Sequence, residues 1–216
     1  MCDLYLEHYD GSSSSLFYRD LDEKTEVLIL YHDAVVVGFS TLLFYSFRHE
    51  GTSVRIVFSG DTVVHQNHWG QQRLHTAWLA RTNAWWSQNP EQPLFWFLLV
   101  KGHRTYRFLS AGFKRYFPHH EQSEPALREL AYALAAERYG NAFLPEQGIV
   151  RFAESHGHLR GHIALPDARQ STRPDVCFFL QANPGYVNGD ELVCLCPLRP
   201  DNLSAFSARY FLSGPG

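Results

Sequence analysis

Long apolar runs are missing from this sequence. No stretch reaches the roughly 18 consecutive apolar residues that a membrane-crossing helix needs, so no membrane span is expected. The opening Met1-Cys2-Asp3 lacks a basic segment leading into an apolar one, so a secretory leader is not expected either. Cysteine is scarce, with four in 216 residues, and Cys2, Cys177, Cys194 and Cys196 have no metal-like spacing. In a strand, Cys194 and Cys196 point to the same face of an apolar run, as buried thiols. Neither sign of charge is in excess: 19 Lys and Arg stand against 22 Asp and Glu, a formal net charge of −3. That excludes a broad basic surface for nucleic acid. Together these absences point to a cytoplasmic, reducing setting.

Apolar and aromatic residues are what the chain has, at 45% and 15%, enough for a sizeable core. The length suits a single domain over residues 1–216. Twelve histidines include His119-His120 and His156-Gly157-His158 with His162 nearby. No carboxylate or cysteine completes a ligand set at a recognised spacing, so no metal is expected.

Residues 2–10 suit a short helix or a strand, and a serine in 12–15 can cap a helix over 16–23. Strands are expected over 25–31, 35–47 and 53–64, joined by tight turns into an antiparallel meander. A polar turn with Gly70 leads into a helix over 70–87, ended by Pro90 and Pro93. Residues 94–100 are nearly all apolar, as in a strand buried on both faces. A helix follows over 105–116, and another opens at Ser123 and Pro125 and closes at Gly140. Residues 141–175 are read as loop with short strands. Residues 176–181 and 191–197 are read as a closing hairpin around Asn183-Pro184-Gly185, followed by a helix to 212.

The unit from 53 to 100 is strand, glycine turn, helix, strand. A helix that opens after a strand presents free N–H groups and a positive dipole end, which suits a phosphate. Val37-Gly38-Phe39-Ser40-Thr41-Leu42 resembles the hydrophobic-Gly-Phe strand of the GNAT N-acetyltransferase superfamily. Thr62-Val63-Val64-His65-Gln66-Asn67-His68-Trp69-Gly70-Gln71 resembles that superfamily's coenzyme A motif. Residues 95–102 and 105–109 resemble the strand and helix that complete its acyl-CoA cleft. The resemblance covers about 10–118 and, more loosely, 176–197; it gives 119–175 no role beyond an insertion. Of the motif's glycines only Gly70 is kept, whichever alignment is chosen, with Gln72 at one of the other small positions.

The resemblance implies an α/β (α+β) fold: a GNAT-like mixed, mostly antiparallel central sheet flanked by helices. It implies transfer from acetyl-CoA or another acyl-CoA to an amine of a small molecule or peptide. Val63, Val64, Trp69, Gly70, Gln71, Gln72, Arg73 and Leu74 would bind the coenzyme. Tyr106, or failing it Tyr116, would protonate the thiolate; His65, His68 or Asp61 would act as base. The alternatives are a GNAT-like binding module without catalysis and an enzyme resembling long-chain N-acyl amino acid synthases. The strands carrying Cys194 and Cys196 leave a homodimer open. Of Trp85 and Trp86, one is expected to line a partner surface or stand exposed.

Overall fold

Alternating and continuous apolar patterns place the strands, and helix-spaced apolar residues between them place the helices. The computed structural model describes residues 1–212. In chain order it contains α1 (Cys2–His8), β1 (Tyr9–Asp10), α2 (Ser14–Asp22), β2 (Glu26–His32), β3 (Val35–His49), β4 (Thr52–Val64), α3 (Arg73–Trp86), β5 (Leu94–Val100) and α4 (His103–Gly112). Then come α5 (Pro125–Tyr139), β6 (Phe143–Leu144), β7 (Ile149–Val150), β8 (His158–Leu159), α6 (Gly161–Ala164), α7 (Pro174–Ala182), β9 (Glu191–Pro197) and α8 (Ala205–Leu212).

The main sheet has seven strands in the order β2-β3-β4-β5-β9-β7-β6. Only β4 and β5 run parallel; every other pair is antiparallel. Helices cover the sheet. This is the mixed, mostly antiparallel α+β arrangement expected from the sequence.

Local chemistry explains the helix starts. Ser13 caps α2 by accepting from the Leu16 N–H at 3.2 Å. Pro125 occupies the first turn of α5, and Gly140 ends it at φ 50°, in the half of backbone space that glycine enters freely. The carbonyls at the end of α3 are satisfied from the sheet. Arg55 of β4, itself buried, donates to Trp85 O at 2.7 Å, Trp86 O at 3.2 Å and Gln92 O at 3.2 Å.

Residues 176–181 form no strand. They lie in α7, opened by Pro174, with Val176 and Phe179 buried one turn apart. A short apolar run has no period of its own strong enough to separate the two forms. Residues 183–189 therefore join a helix to β9 rather than two strands. The strand 191–197 is also not an edge: β5 pairs along one side, and β7 and Phe117 hold the other. It has no free side with which to pair across a dimer.

Two apolar layers sandwich the sheet. On one side Trp78, Trp96, Tyr106, Cys194, Cys196, Phe179 and Phe211 pack together. Cys194 and Cys196 are wholly buried on that common face, as their spacing predicts. Trp85 packs on Phe44 and Trp86 on Phe211, both only partly exposed, so neither offers a bare partner surface. On the other side Ile56, Phe58, Phe97, Val193 and Leu195 meet α5. Val63 and Phe39 meet Leu4, Tyr5 and Phe17 of α1 and α2.

Candidate functional site: the parting of β4 and β5

The parallel ladder between β4 and β5 runs from Arg55 opposite Leu94 to Ser59 opposite Leu98, and stops. β4 continues to Val64. The register of β3 against β4 shifts just there: Leu42 faces Ser59, and Ser40 faces Thr62, so Gly60 and Asp61 share the place opposite Thr41. This is a β-bulge, which bends its strand and re-aims its side chains. Gly60 is needed for space at this point. A Cβ there would stand 2.5 Å from Thr41 Oγ1 and 2.6 Å from Lys24 Cε.

Beyond the bulge the strand ends carry charge. Asp61 from β4, Lys101 after β5 and Glu191 opening β9 form one buried electrostatic group. Lys101 Nζ lies 3.3 Å from Glu191 Oε1, donates to His156 O at 2.9 Å and sits over the Tyr9 ring at 5.4 Å. Burial pushes the Asp61 and Glu191 carboxyls up, with Lys101 opposing in both cases. Burial disfavours the Lys101 ammonium, but Glu191, Tyr5 and Asp61 outweigh it and hold the group above its ordinary range. The Tyr5 phenol is pushed up to about 12, mainly by burial. Asp61 differs from its neighbours in having no hydrogen bond or ion pair among the described residues, although it keeps a partial window to solvent. A desolvated, unpaired carboxylate with access to solvent is suited to proton transfer.

The turn before α3 lies beside this group. Val64 O accepts from Trp69 Nε1 at 2.7 Å and lies 3.1 Å from His8 Nε2, which ties α1 to the end of β4. Val63 is buried against α1 and α2. Gly70 adopts φ 86° with open space around it, and Gln72 precedes α3 without a side-chain cap. The first N–H groups of α3, at Arg73, Leu74 and His75, thus have no capping side chain, and no acid stands in that turn. Gln71 Nε2 lies 3.0 Å from His68 Nδ1.

The expected catalytic residues are not gathered. The His65 ring accepts from the Asn67 N–H at 3.2 Å, and His68 packs on His32 of β2 at 4.9 Å. Both histidines lean toward the meander, on the side of β4 away from β5. Tyr106 is wholly buried, stacked on Phe178 at 5.7 Å, and its hydroxyl donates to Pro118 O at 2.8 Å. A phenol enclosed in the core with its proton committed to a carbonyl does not face an arriving thiolate. Tyr116 is also wholly buried, its hydroxyl 2.6 Å from His120 Nδ1. Tyr106 was expected at the cleft from the resemblance alone; the structure packs it against Phe178 and Phe179 of α7.

The insertion reaches the site. β8 pairs with β1, setting Leu159 against Gly102 beyond β5 while His8, next to β1, reaches Val64 at the end of β4. Arg104 stacks on the Trp69 ring at 4.7 Å and donates to Ile163 O. Gln66 Nε2 lies 2.8 Å from His162 Nε2. Residues 158–164 therefore bridge the gap between the parted strands. Among the described residues, no three or more His, Cys, Asp or Glu gather to hold a metal ion. No described helix is long and apolar enough to cross a membrane.

Of the residues at this site, Asp61 was legible in the sequence. Lys101 and Glu191 were missed, although each is a charged residue abutting an apolar strand, which was the available signal. Lys24 and His8 carried no signal.

No protein-family model matches the chain, and no curated protein matches it. Among solved structures it is similar to a conserved protein of unknown function from Enterococcus faecalis V583, described as a probable N-acyltransferase, with 12% identity and a TM-score of 0.40. The match covers 52% of this chain and 28% of that one. At that level of likeness neither activity nor ligand transfers from one protein to the other.

Proposed function

We propose that this chain moves an acyl group from a coenzyme A thioester to a primary amine. The observation that carries the reading is the parting of two parallel strands at a bulge lined by desolvated charge. Strand ends that have stopped bonding to each other leave backbone groups for a narrow thioester arm to satisfy. The pyrophosphate would lie at the uncapped start of α3, around Trp69 to Leu74, with Arg73 adding charge. Acetyl-CoA is the default donor, and a longer acyl chain is the variant to test beside it. The amine meets Asp61. Its nitrogen attacks the thioester carbonyl, a C–N bond forms and the C–S bond breaks. The amine's proton passes to Asp61, and the departing thiolate takes up a proton from solvent.

A second reading has its own observation. Residues 158–164 lie across the gap, held by Gln66 and Arg104, and a gap filled by the chain itself suits a binding module that has lost transfer. Calorimetric titration with acetyl-CoA, coenzyme A and a long-chain acyl-CoA separates the two. Micromolar binding is expected, abolished in Gly70→Glu and tightened several-fold in Arg104→Ala, where the bridge is loosened. If the intact protein and Arg104→Ala both ignore all three ligands, the transfer reading fails and the binding module stands.

A further inference from the structure

We infer that β2 is a dimer edge: two copies of this chain join β2 to β2, antiparallel, about a two-fold axis at Ile29. The sheet has two edges, and they are built differently. At one, β6 is only two residues long, Phe143 and Leu144, too short to template another strand. At the other, β2 runs for seven residues, Glu-Val-Leu-Ile-Leu-Tyr-His. β3 pairs along one side of it, and among the described residues its backbone has no partner on the other. Exposed edges are ordinarily blunted by a lysine, a proline, an inward charge or a bulge. Between Val27 and Tyr31, β2 carries no such residue. Where its register with β3 shifts, after Leu30, the extra residue is Val37 of β3, so β2 itself is uninterrupted. The side chains at this edge are apolar and wet: Ile29 is 40% exposed, Tyr31 58%, and Val35, across the hairpin turn, 62%.

The partner is a second β2 because this strand is complementary to its own reverse. About Ile29, Ile29 faces Ile29, Leu28 faces Leu30, Val27 faces Tyr31 and Glu26 faces His32. Every apolar residue meets an apolar one, and Val27 against Tyr31 is a β-branched side chain against an aromatic ring, a favourable cross-strand pair. The one carboxylate of the strand meets its one imidazole, which can donate to it. Glu26 already holds Arg81 of α3, and His32 has Asp33 at 3.5 Å, so no carboxylate is set directly against another. Moving the axis by one residue spoils the match: about Leu28, Glu26 faces Leu30, and about Leu30, Val27 faces Asp33. The two faces also stay in step. Glu26 and Leu28 remain on the side of α3, and Val27 on the side of α1 and α2. Such a pair uses the same patch on both copies and closes on itself, and the short β6 edge does not extend it. The backbone groups of both edges are satisfied as Ile29 and Tyr31 leave water.

The test is sedimentation velocity of the intact chain over a series from about 1 to 500 µM, in which a small interface assembles by mass action. A monomer–dimer equilibrium is expected, with no species beyond the dimer. Ile29→Lys sets two ammonium groups against each other at the axis and should weaken the dimer at least tenfold. Ile29→Val should keep it. Cross-linking reads the register. Under mild copper phenanthroline oxidation Ile29→Cys should give a disulfide-linked dimer, because that position faces itself. Tyr31→Cys should not, since its two copies lie four residues apart along the paired strands, roughly 14 Å. The intact chain controls for the native cysteines. A chain that stays monomeric throughout the series overturns the proposal. So does a dimer that Ile29→Lys leaves intact, a Tyr31→Cys variant that links as readily as Ile29→Cys, or growth past the dimer. Should Ile29→Lys fail to fold, Tyr31→Lys makes the same test at the more exposed position. The proposal stands or falls apart from the acyl-transfer reading.

Discussion

The two faces of the sheet answer the same problem in different ways. On the face toward α3, α4 and α8, the layer is apolar and aromatic, and within it Ser59 Oγ takes the indole N–H of Trp96 at 2.9 Å and of Trp78 at 3.2 Å. The opposite face is apolar where it meets α5, but past the bulge at Gly60 and Asp61 the same strands end in Asp61, Lys101 and Glu191 beside α1 and β1. The apolar layers serve stability. The strand ends past the bulge keep charge out of water where no packing demand requires it, which is the mark of a working surface rather than a core.

Breaking the apolar face should have the largest effect. Trp96→Ala removes a buried ring that packs on Trp78 at 4.6 Å and on Phe113 at 5.8 Å. A loss of about 3–5 kcal/mol is expected in denaturant unfolding. A loss below about 1 kcal/mol would show that this layer is not the packed core described.

The charged face sharpens the contrast through a rescue. Lys101→Met leaves Glu191 buried without its 3.3 Å partner and should cost about 3 kcal/mol, because a lone buried charge is dearer than a missing pair. Replacing Glu191 by Gln in the same chain should return most of that loss. If the double variant is no more stable than Lys101→Met, the pair is not what stabilises the site.

The smallest effect concerns a histidine ring on the apolar side. His75 stacks between Phe108 at 5.3 Å and Phe206 at 6.2 Å, and burial lowers its pKa to about 4. A base whose folded pKa lies below its unfolded value of about 6.5 supports folding only while neutral. Its contribution is complete above pH 6.5 and is lost as the pH falls toward 4. Stability should therefore drop by about 1–3 kcal/mol over that window, and His75→Phe should flatten the drop. An unchanged acid limb in His75→Phe would assign the loss to other groups.

Much of this molecule was readable as text. The meander, the helix between the two parallel strands, the buried strand at 94–100 and the Ser13 cap each follow from local composition and period. The turn at Gly70 was readable as a position, and the bulge residue Asp61 as a candidate. The reading failed where local signals were balanced. Residues 176–181 have no decisive period, and packing of Val176 and Phe179 into the core settled them as helix. Tyr106 was placed at the cleft by resemblance, and nothing in the sequence says which side of α4 meets α7.

The sequence by itself determined the strands, most of the helices, the absence of strong net charge and the one glycine on which the turn at Trp69 depends. The tertiary structure alone decided the site. Asp61, Lys101 and Glu191 lie on separate elements scattered along the chain, and of them only Asp61 stood out in the sequence. Only the stop in the β4–β5 ladder and the bulge at Gly60 set them against one another. The physical reason is that periodicity reports how a segment meets water, whereas which buried charges meet each other depends on register and on the order of strands in the sheet.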